Sequence, residues 1–200
     1  MAESANVWPP DGPHGADPRG DDPDAVLVEQ FLRGDPSAFD LIVTAHQGRV
    51  ARLAYRLLGW SEDVDDIVQE VFMAALKAMP RFKGGSRLST WLAAITVNKC
   101  RNARRRRFVR LAFLRRPEAR RDEARHADSA TSDAETFDRV RRAVLALPVR
   151  HREVVVLRYL EGMPVAEVGR TLGLSVGAVE MRLHRARARL HDSLQHLMEE

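Results

Sequence analysis

The stretch PVAEVGRTLGLSVGAVEMRLHRARARL, residues 164–190, carries the clearest signals of local structure in this 200-residue chain. Apolar residues recur at helical spacing up to Gly173, and a second helical pattern starts behind Ser175, a residue type that commonly caps helices. A helix, a tight turn containing glycine and a second helix form a helix-turn-helix, whose second helix lies in the major groove of DNA. Gly169 costs about 1 kcal/mol relative to alanine inside a helix, and we expect it to allow a close crossing of the two helices.

The second of these helices divides into two faces. Val179, Leu183, Ala186, Leu190 and Leu194 form an apolar stripe and predict the buried face. An amphipathic surface helix with solvated arginines is the alternative, but the preceding turn favours the groove. Arg185 could read guanine bidentately, and the free amides behind Ser175 offer an anion site. The residues predicted to meet bases, or phosphates at the flanks, are Ser175, Gly177, Glu180, Met181, Arg182, His184, Arg185 and Arg187.

Charge is segregated along the chain, although the formal net charge is only +4. Residues 1–24 hold six acids against Arg19 alone, whereas residues 81–121 hold fourteen lysines and arginines against Glu118 alone. Such segregation builds a basic surface that attracts a polyanion, although a solvated basic loop would explain the same count.

Composition excludes several classes of protein. The chain is 44% hydrophobic and 30% charged, as soluble globular proteins are. Its apolar runs are shorter than the roughly eighteen residues that span a bilayer, and its N-terminus lacks the pattern of a secretory signal. The single cysteine, Cys100, excludes an internal disulfide and a cysteine-rich zinc site. We therefore expect a cytoplasmic protein without membrane insertion.

The remaining sequence is helical in two blocks. Residues 1–24 contain five prolines and three glycines and are predicted to be disordered. Strand-type alternation is absent from the sequence. We predict an all-α fold of two small domains: an N-terminal helical bundle at 25–115 and a C-terminal helix-turn-helix domain at 135–200, joined by a flexible linker at 116–134.

The segment DVDDIVQEVFMAALKAM, residues 63–79, predicts a helix with a polar face opposite its core. Asp66, Gln69 and Glu70 share the polar face with Met73 and Lys77. A solvated face explains this pattern equally well. Asp66 and Glu70 are also spaced for a divalent ion, but no histidine lies at helical spacing from them, so neither a metal nor a cofactor is predicted. The apolar set predicted to face the core is Val64, Ile67, Val68, Val71, Phe72, Ala75 and Leu76.

Aromatic residues are interleaved with bases between residues 81 and 107. This combination is typical of proteins that bind single-stranded nucleic acid, since stacking contributes roughly 1–3 kcal/mol per base and cations follow the backbone. Trp91 is more often a core residue in such a helix, and Asn98 is either a solvated group or a reader of base edges. The candidates are Phe82, Lys83, Arg87, Trp91, Asn98 and Arg101.

In their order along the chain, these motifs resemble the extracytoplasmic-function (ECF) group of bacterial RNA polymerase sigma factors. The stretches that carry the resemblance include DPSAFDLIVTAHQGRV, DVDDIVQEVFMAALKAM, RFKGGSRLSTWLAAITVNKCRN and the helix-turn-helix with the helix before it. They fall within 25–107 and 136–195. The resemblance implies that the protein docks on core RNA polymerase and directs it to promoters. The N-terminal domain would bind and help to open the −10 element, and the helix-turn-helix would read the −35 element.

The resemblance also implies roles for particular residues. Asp66, Gln69 and Glu70 correspond to a contact with the clamp helices of the largest catalytic subunit. The loop 82–89 resembles the one that holds a flipped −10 base, and Asn98 matches the asparagine that accompanies it. Leu88 stands where a second aromatic residue is common. Members of this family are often held inactive by an anti-sigma protein, so the resemblance implies a partner of that kind.

Two other classes compete with this interpretation. A free-standing helix-turn-helix repressor or activator explains residues 136–195 but gives no role to the N-terminal domain. A metal-dependent nuclease would use the carboxylates at 63–70, but no general base, nucleophile or metal cluster supports an enzyme. We therefore expect a protein without catalytic activity.

Overall fold

The computed structural model of the chain describes residues 24–60, 62–113 and 132–196. These ranges are helical and contain no strand, as predicted. The expected disorder of residues 1–24 and the expected linker at 116–134 fall almost wholly outside the described residues. The helices are α1 (Ala25–Leu32), α2 (Ser37–Leu58), α3 (Val64–Ala78), α4 (Leu88–Phe113), α5 (Ser132–Ala146), α6 (Val149–Val155), α7 (Val165–Leu172) and α8 (Val176–His196).

Local signals in the sequence set several helix ends. Asp35 caps α2, because its Oδ1 accepts hydrogen bonds from the Ser37 amide at 2.9 Å and the Ser37 hydroxyl at 2.6 Å. Gly59 ends α2 in the left-handed conformation with φ of 86°. Asp24 precedes α1, but its carboxylate makes no capping bond. Instead its Oδ2 lies 2.8 Å from Nε2 of His46 on α2, in a buried pair that ties the two helices together.

The N-terminal domain is built on α2, α3 and α4, which pack against one another, with α1 resting on α2. Each fully buried aliphatic side chain contributes about 1.5–3 kcal/mol relative to an exposed one. Leu76 was expected in this core, but 45% of its surface is exposed. The largest buried side chains here include Ile42, Leu53, Leu57, Leu58, Ile67, Val71, Leu88, Leu92 and Val97.

The C-terminal domain packs α6 and α7 against α8, with α5 crossing α6 and α8. Its core contains Val154, Leu157, Val168 and Val179. Helix α6 runs directly into one wide π-helical turn at Val156–Leu160, where the amide of Glu161 donates to the Val156 carbonyl five residues earlier, at 3.0 Å.

Helices α7 and α8 form the predicted helix-turn-helix. Gly173 ends α7 with φ of 68°, and the Ser175 hydroxyl accepts a hydrogen bond from the Ala178 amide at 3.2 Å, which caps α8. A β-carbon on Gly169 would lie 2.7 Å from the carbonyl oxygen of Leu174 and 3.8 Å from Cγ2 of Val179. Gly169 therefore lies closest to the backbone of the turn at Leu174, whereas its approach to α8 at Val179 is an ordinary contact.

The two domains also pack on each other, which the sequence did not predict. Helix α7 lies against α4, and α6 with its π-helical turn lies against α2. The buried apolar residues of both domains belong to one continuous cluster. The outward faces of α3 and α8 stay uncovered by this packing.

Candidate nucleic-acid and polymerase interfaces

Helix α8 presents the residues that were selected for reading double-stranded DNA. Val179, Leu183 and Ala186 are buried, with Leu190 and Leu194 half-buried, so the predicted apolar stripe does face the core. The opposite face is mostly polar and combines Glu180 with histidine and arginine side chains, and Met181 on it is 51% exposed. Seven of the eight candidates are exposed and one, Arg182, is half-buried: Ser175, Gly177, Glu180, Met181, Arg182, His184, Arg185 and Arg187.

A histidine lies beneath this face that the sequence analysis did not single out. His151 of α6 is 2% exposed, and its Nδ1 has no hydrogen-bond partner. Burial lowers the pKa of His151, and the positive charges of Arg150, Arg189, Arg185 and Arg182 lower it further. The uncharged ring is therefore the favoured form under the recognition helix. A histidine within an apolar helix, in LPVRHREVVVL, was the only sequence signal for it.

The aromatic pair selected for single-stranded DNA belongs partly to the core. Trp91 is 7% exposed, and its ring centroid lies 5.0 Å from that of Phe82 at an interplanar angle of 43°. Trp91 thus fills the core, which was the alternative for this residue, and Phe82 is half-buried on top of it. Lys83 and Arg87 are exposed on the loop, and Asn98 is half-buried on α4.

Arg101, the last of these candidates, is already engaged. Its Nε and Nη2 donate to the two carboxylate oxygens of Glu153 at 2.9 and 2.7 Å. The Glu153 side chain is 5% exposed. The hydrogen bonds to Glu153 raise the pKa of Arg101 above its ordinary value. In this structure the C-terminal domain therefore occupies a side chain that we assigned to DNA.

The outward face of α3 combines polar and apolar groups. Asp66 and Gln69 are exposed, whereas Glu70 is half-buried and pairs with Lys99 at 3.3 Å and Arg106 at 3.1 Å, both on α4. Met73 and Leu76 follow Gln69 at four- and seven-residue steps and are 60% and 45% exposed. Leu76 was predicted to lie in the core, and the structure shows instead that it is exposed beside Met73 on this face.

The described residues contain no group of three or more histidine, cysteine, aspartate or glutamate side chains that could hold a metal ion. Among the helices that the structure describes, none is long and apolar enough to cross a membrane. Cys100 is buried, and burial raises the pKa of its thiol to about 12. A thiol so protonated is a poor nucleophile.

Known proteins resemble this chain along most of its length. Sigma-70 region 2 matches residues 42–108, and Sigma-70 region 4 matches residues 137–190. The ECF RNA polymerase sigma factor SigM of Mycobacterium tuberculosis is 33% identical over 174 residues, which cover 87% of this chain and 86% of that protein. The ECF RNA polymerase sigma-E factor of Escherichia coli K12 is 33% identical over 184 residues, covering 88% and 96%.

The fold agrees with these matches. The structure of CnrH in complex with the cytosolic domain of CnrY aligns with a TM-score of 0.63 and 33% identity, covering 86% of this chain and 97% of that one. Each matched region lies within one of the two helical domains, and most of the helix-turn-helix lies inside the second. The chain belongs to the ECF RNA polymerase sigma factors.

Proposed function

We propose that the two domains divide the work of promoter recognition. The N-terminal domain, at 25–115, docks on core polymerase and binds the −10 element, and the C-terminal domain, at 135–200, reads the −35 element. The intervening segment 116–134 connects them. The protein acts in the cytoplasm, as a regulator of transcription without catalytic activity of its own.

The observation that carries this proposal is the exposed face of α8. It follows a glycine-containing turn and a serine cap, and it exposes Glu180, His184 and Arg185 beside Met181. Arg182 and Arg187 flank the row, where phosphates would run. A guanidinium such as that of Arg185 discriminates one base pair by about 1–3 kcal/mol.

Docking on polymerase is assigned to α3. Asp66 and Gln69 supply polar contacts, and Met73 and Leu76 supply the apolar surface that protein interfaces bury at their centres. Glu70 contributes by holding α3 on α4 through Lys99 and Arg106. A free-standing repressor has no need of such a face, and the match to Sigma-70 region 2 leaves that alternative without support.

Binding of the −10 element is assigned to the loop between α3 and α4 and to the start of α4. Lys83 and Arg87 are exposed there, and Phe82 is only partly covered. Asn98 and Arg101 lie on α4, where Arg101 reaches DNA once it is released from Glu153. Trp91 supports Phe82 from below rather than stacking on a base.

An inhibitory protein partner is also part of the proposal. CnrH, whose structure resembles this one, was solved with the cytosolic domain of CnrY. We infer a partner of the anti-sigma kind for this chain, bound to one or both domains.

Transcription by purified core polymerase tests the proposed function most directly. A library of promoter sequences is transcribed with and without this protein, and the transcripts are sequenced. We expect protein-dependent transcripts that share a −10 and a −35 sequence. Absence of protein-dependent initiation, together with absence of binding to core polymerase, would overturn the proposal.

A further inference from the structure

Three glutamates of the C-terminal domain point into the N-terminal domain. Glu161, whose side chain is 4% exposed, accepts hydrogen bonds from Nε of Arg49 at 3.0 Å and from Nη1 of Arg56 at 2.8 Å. Glu153 accepts hydrogen bonds from Nε and Nη2 of Arg101. Glu167 accepts a hydrogen bond from the Thr90 hydroxyl at 3.0 Å. Acidic groups on one domain thus meet basic or polar groups on the other at three separate places.

Close packing accompanies these polar contacts. A β-carbon on Gly59 would lie 2.8 Å from Cδ2 of Leu145, which shows how tightly α5 rests on the end of α2. Arg152 donates to the Leu57 carbonyl at 3.0 Å, and Arg141 donates to the Tyr55 hydroxyl at 2.5 Å. The contact therefore extends from the end of α2 to the middle of α4.

The burial of Glu153 and Glu161 makes their ion pairs important for holding the two domains together. A carboxylate removed from water is costly unless it is paired and hydrogen-bonded, and both conditions are met only while the domains are together. Bidentate pairs of arginine and carboxylate are also geometrically specific. The interface consequently defines one particular arrangement of the domains rather than a loose association.

The position of Arg101 connects this interface to DNA. A carboxylate and a phosphate present similar pairs of acceptor oxygens to a guanidinium. Glu153 thus occupies two nitrogens of Arg101, Nε and Nη2, that could otherwise bind a phosphate of DNA. The hydrogen bond from Thr90 to Glu167 also brings α7 to the start of α4, which follows the loop assigned to the −10 element.

We propose that the chain has a closed state in which Glu153 competes with DNA for Arg101 and Glu161 holds the domains in place. This inference rests on the proposed function of Arg101. Only the open fraction of molecules binds single-stranded DNA at this site, so the apparent affinity falls by that fraction. Any variant that opens the interface without touching DNA should raise the affinity.

Closure is tested first, without DNA or polymerase. Dyes are attached at Asp40→Cys and Asp192→Cys, two exposed positions, in the full chain, whose native Cys100 is buried. We expect one narrow distance distribution by single-molecule energy transfer in the parent protein and a broad, longer one after Glu153→Arg or Glu161→Arg. Combining Arg101→Glu with Glu153→Arg should restore the narrow distribution. Circular dichroism checks that each variant is folded. Unchanged distances in both single variants would overturn closure.

Competition is tested with a labelled 20-nucleotide single-stranded DNA of random sequence. Glu153→Gln and Glu161→Gln should each bind it about five-fold more tightly than the parent, or better. Glu29→Gln removes the same charge from an exposed position of α1 and should change the affinity less than two-fold, within the error of such measurements. Adding Arg101→Ala to Glu153→Gln should abolish the gain.

The outcomes separate the two proposals. Opening without a gain in affinity would overturn the competition at Arg101, while promoter-directed transcription by the parent protein would still support the proposed function. Absence of initiation by the parent protein, together with absence of binding to core polymerase, would overturn the proposed function instead, even with the closed state intact.

Discussion

The α-carbon of Gly169 faces the carbonyl oxygen of Leu174 so closely that a β-carbon would lie only 2.7 Å from it. The Leu174 amide returns the contact by donating to the Gly169 carbonyl at 2.8 Å. The turn of the helix-turn-helix is therefore closed by backbone alone, at a position where any side chain meets backbone atoms that cannot rotate away.

Gly169→Val should destabilise the protein. Forcing extra volume against the turn costs about 1–3 kcal/mol of unfolding free energy. Urea unfolding followed by circular dichroism measures it. Gly177→Ala is the matched control, since nothing lies within 4 Å of that site, and alanine should stabilise α8 by up to about 1 kcal/mol. Equal stabilities of the two variants would contradict the close approach.

Acid should destabilise the protein through His151. The pKa of His151 is lowered from 6.5 in the folded chain, so the unfolded chain binds more protons as the pH falls below that value. The stabilising contribution of the uncharged His151 ring is complete above pH 6.5 and is lost as the pH falls through the pKa of His151 in the folded protein. Urea unfolding at about pH 8, 7, 6 and 5 should show a smaller loss of unfolding free energy for His151→Gln than for the parent protein as the pH falls.

His184→Gln provides the control for that experiment. His184 is exposed on α8, so its replacement should leave the dependence of unfolding free energy on pH unchanged. If unfolding free energy depended on pH in the same way in the parent protein and in His151→Gln, His151 would not be the cause of the loss in acid.

Charge reversal on α3 should separate binding from folding. Asp66 is exposed, and Asp66→Arg should change the unfolding free energy by less than about 0.5 kcal/mol while weakening the binding of core polymerase, where like charges would meet. Glu70→Arg should affect folding as well, because it would face Lys99 and Arg106. Calorimetry and polymerase pull-down give the two readouts, and full binding by Asp66→Arg would remove it from the docking face.

Two arginines of α8 should differ in their effect on promoter selection. Arg185→Ala should cost about 1–3 kcal/mol at one −35 position and relax the preference there. Arg187→Ala should weaken all sequences about equally, since a phosphate contact carries no base information. Binding to a library of −35 duplexes distinguishes them. An unchanged preference after Arg185→Ala would show that α8 is oriented differently.

Cys100 should not react in the folded protein. Its thiol is buried, with a pKa raised to about 12, so iodoacetamide at neutral pH should modify it only after unfolding. Mass spectrometry follows the modification, with the exposed Asp192→Cys as the positive control. Rapid modification of the native thiol would indicate that this part of α4 opens and that a redox role deserves consideration.

The helices were predictable because residues close to each helix end determine where it begins or stops. Asp35, Gly59, Gly173 and Ser175 each act on backbone groups within four residues, and the structure uses all of them. The buried stripe of α8 was equally accessible, since periodicity depends only on spacing along one helix. The prediction that Leu76 is buried was wrong because Leu76 lies at the border of the apolar face of α3, where a leucine can remain exposed.

The surroundings of the site could not be predicted in the same way. Glu161 meets Arg49 across 112 positions of sequence, and Glu153 meets Arg101 across 52. Neither pair has a periodic or local signature, and each glutamate taken alone looks like an ordinary surface residue. The segregation of charge suggested a polyanion for the basic stretch but could not indicate that the chain itself supplies some of the acids.

The π-helical turn at Val156–Leu160 sets the rotation about the helix axis of the residues that follow it. An α-helical turn advances by about 100° per residue, so a π-helical turn amounts to one inserted residue that rotates the following chain. Deleting one residue there would let α6 continue as a regular helix but would swing Glu161 about 100° around its axis, away from Arg49 and Arg56. The DNA-reading helix would keep its sequence and its own cap. Its direction relative to the N-terminal domain would change, and with it the spacing between the two promoter elements that one molecule can bridge.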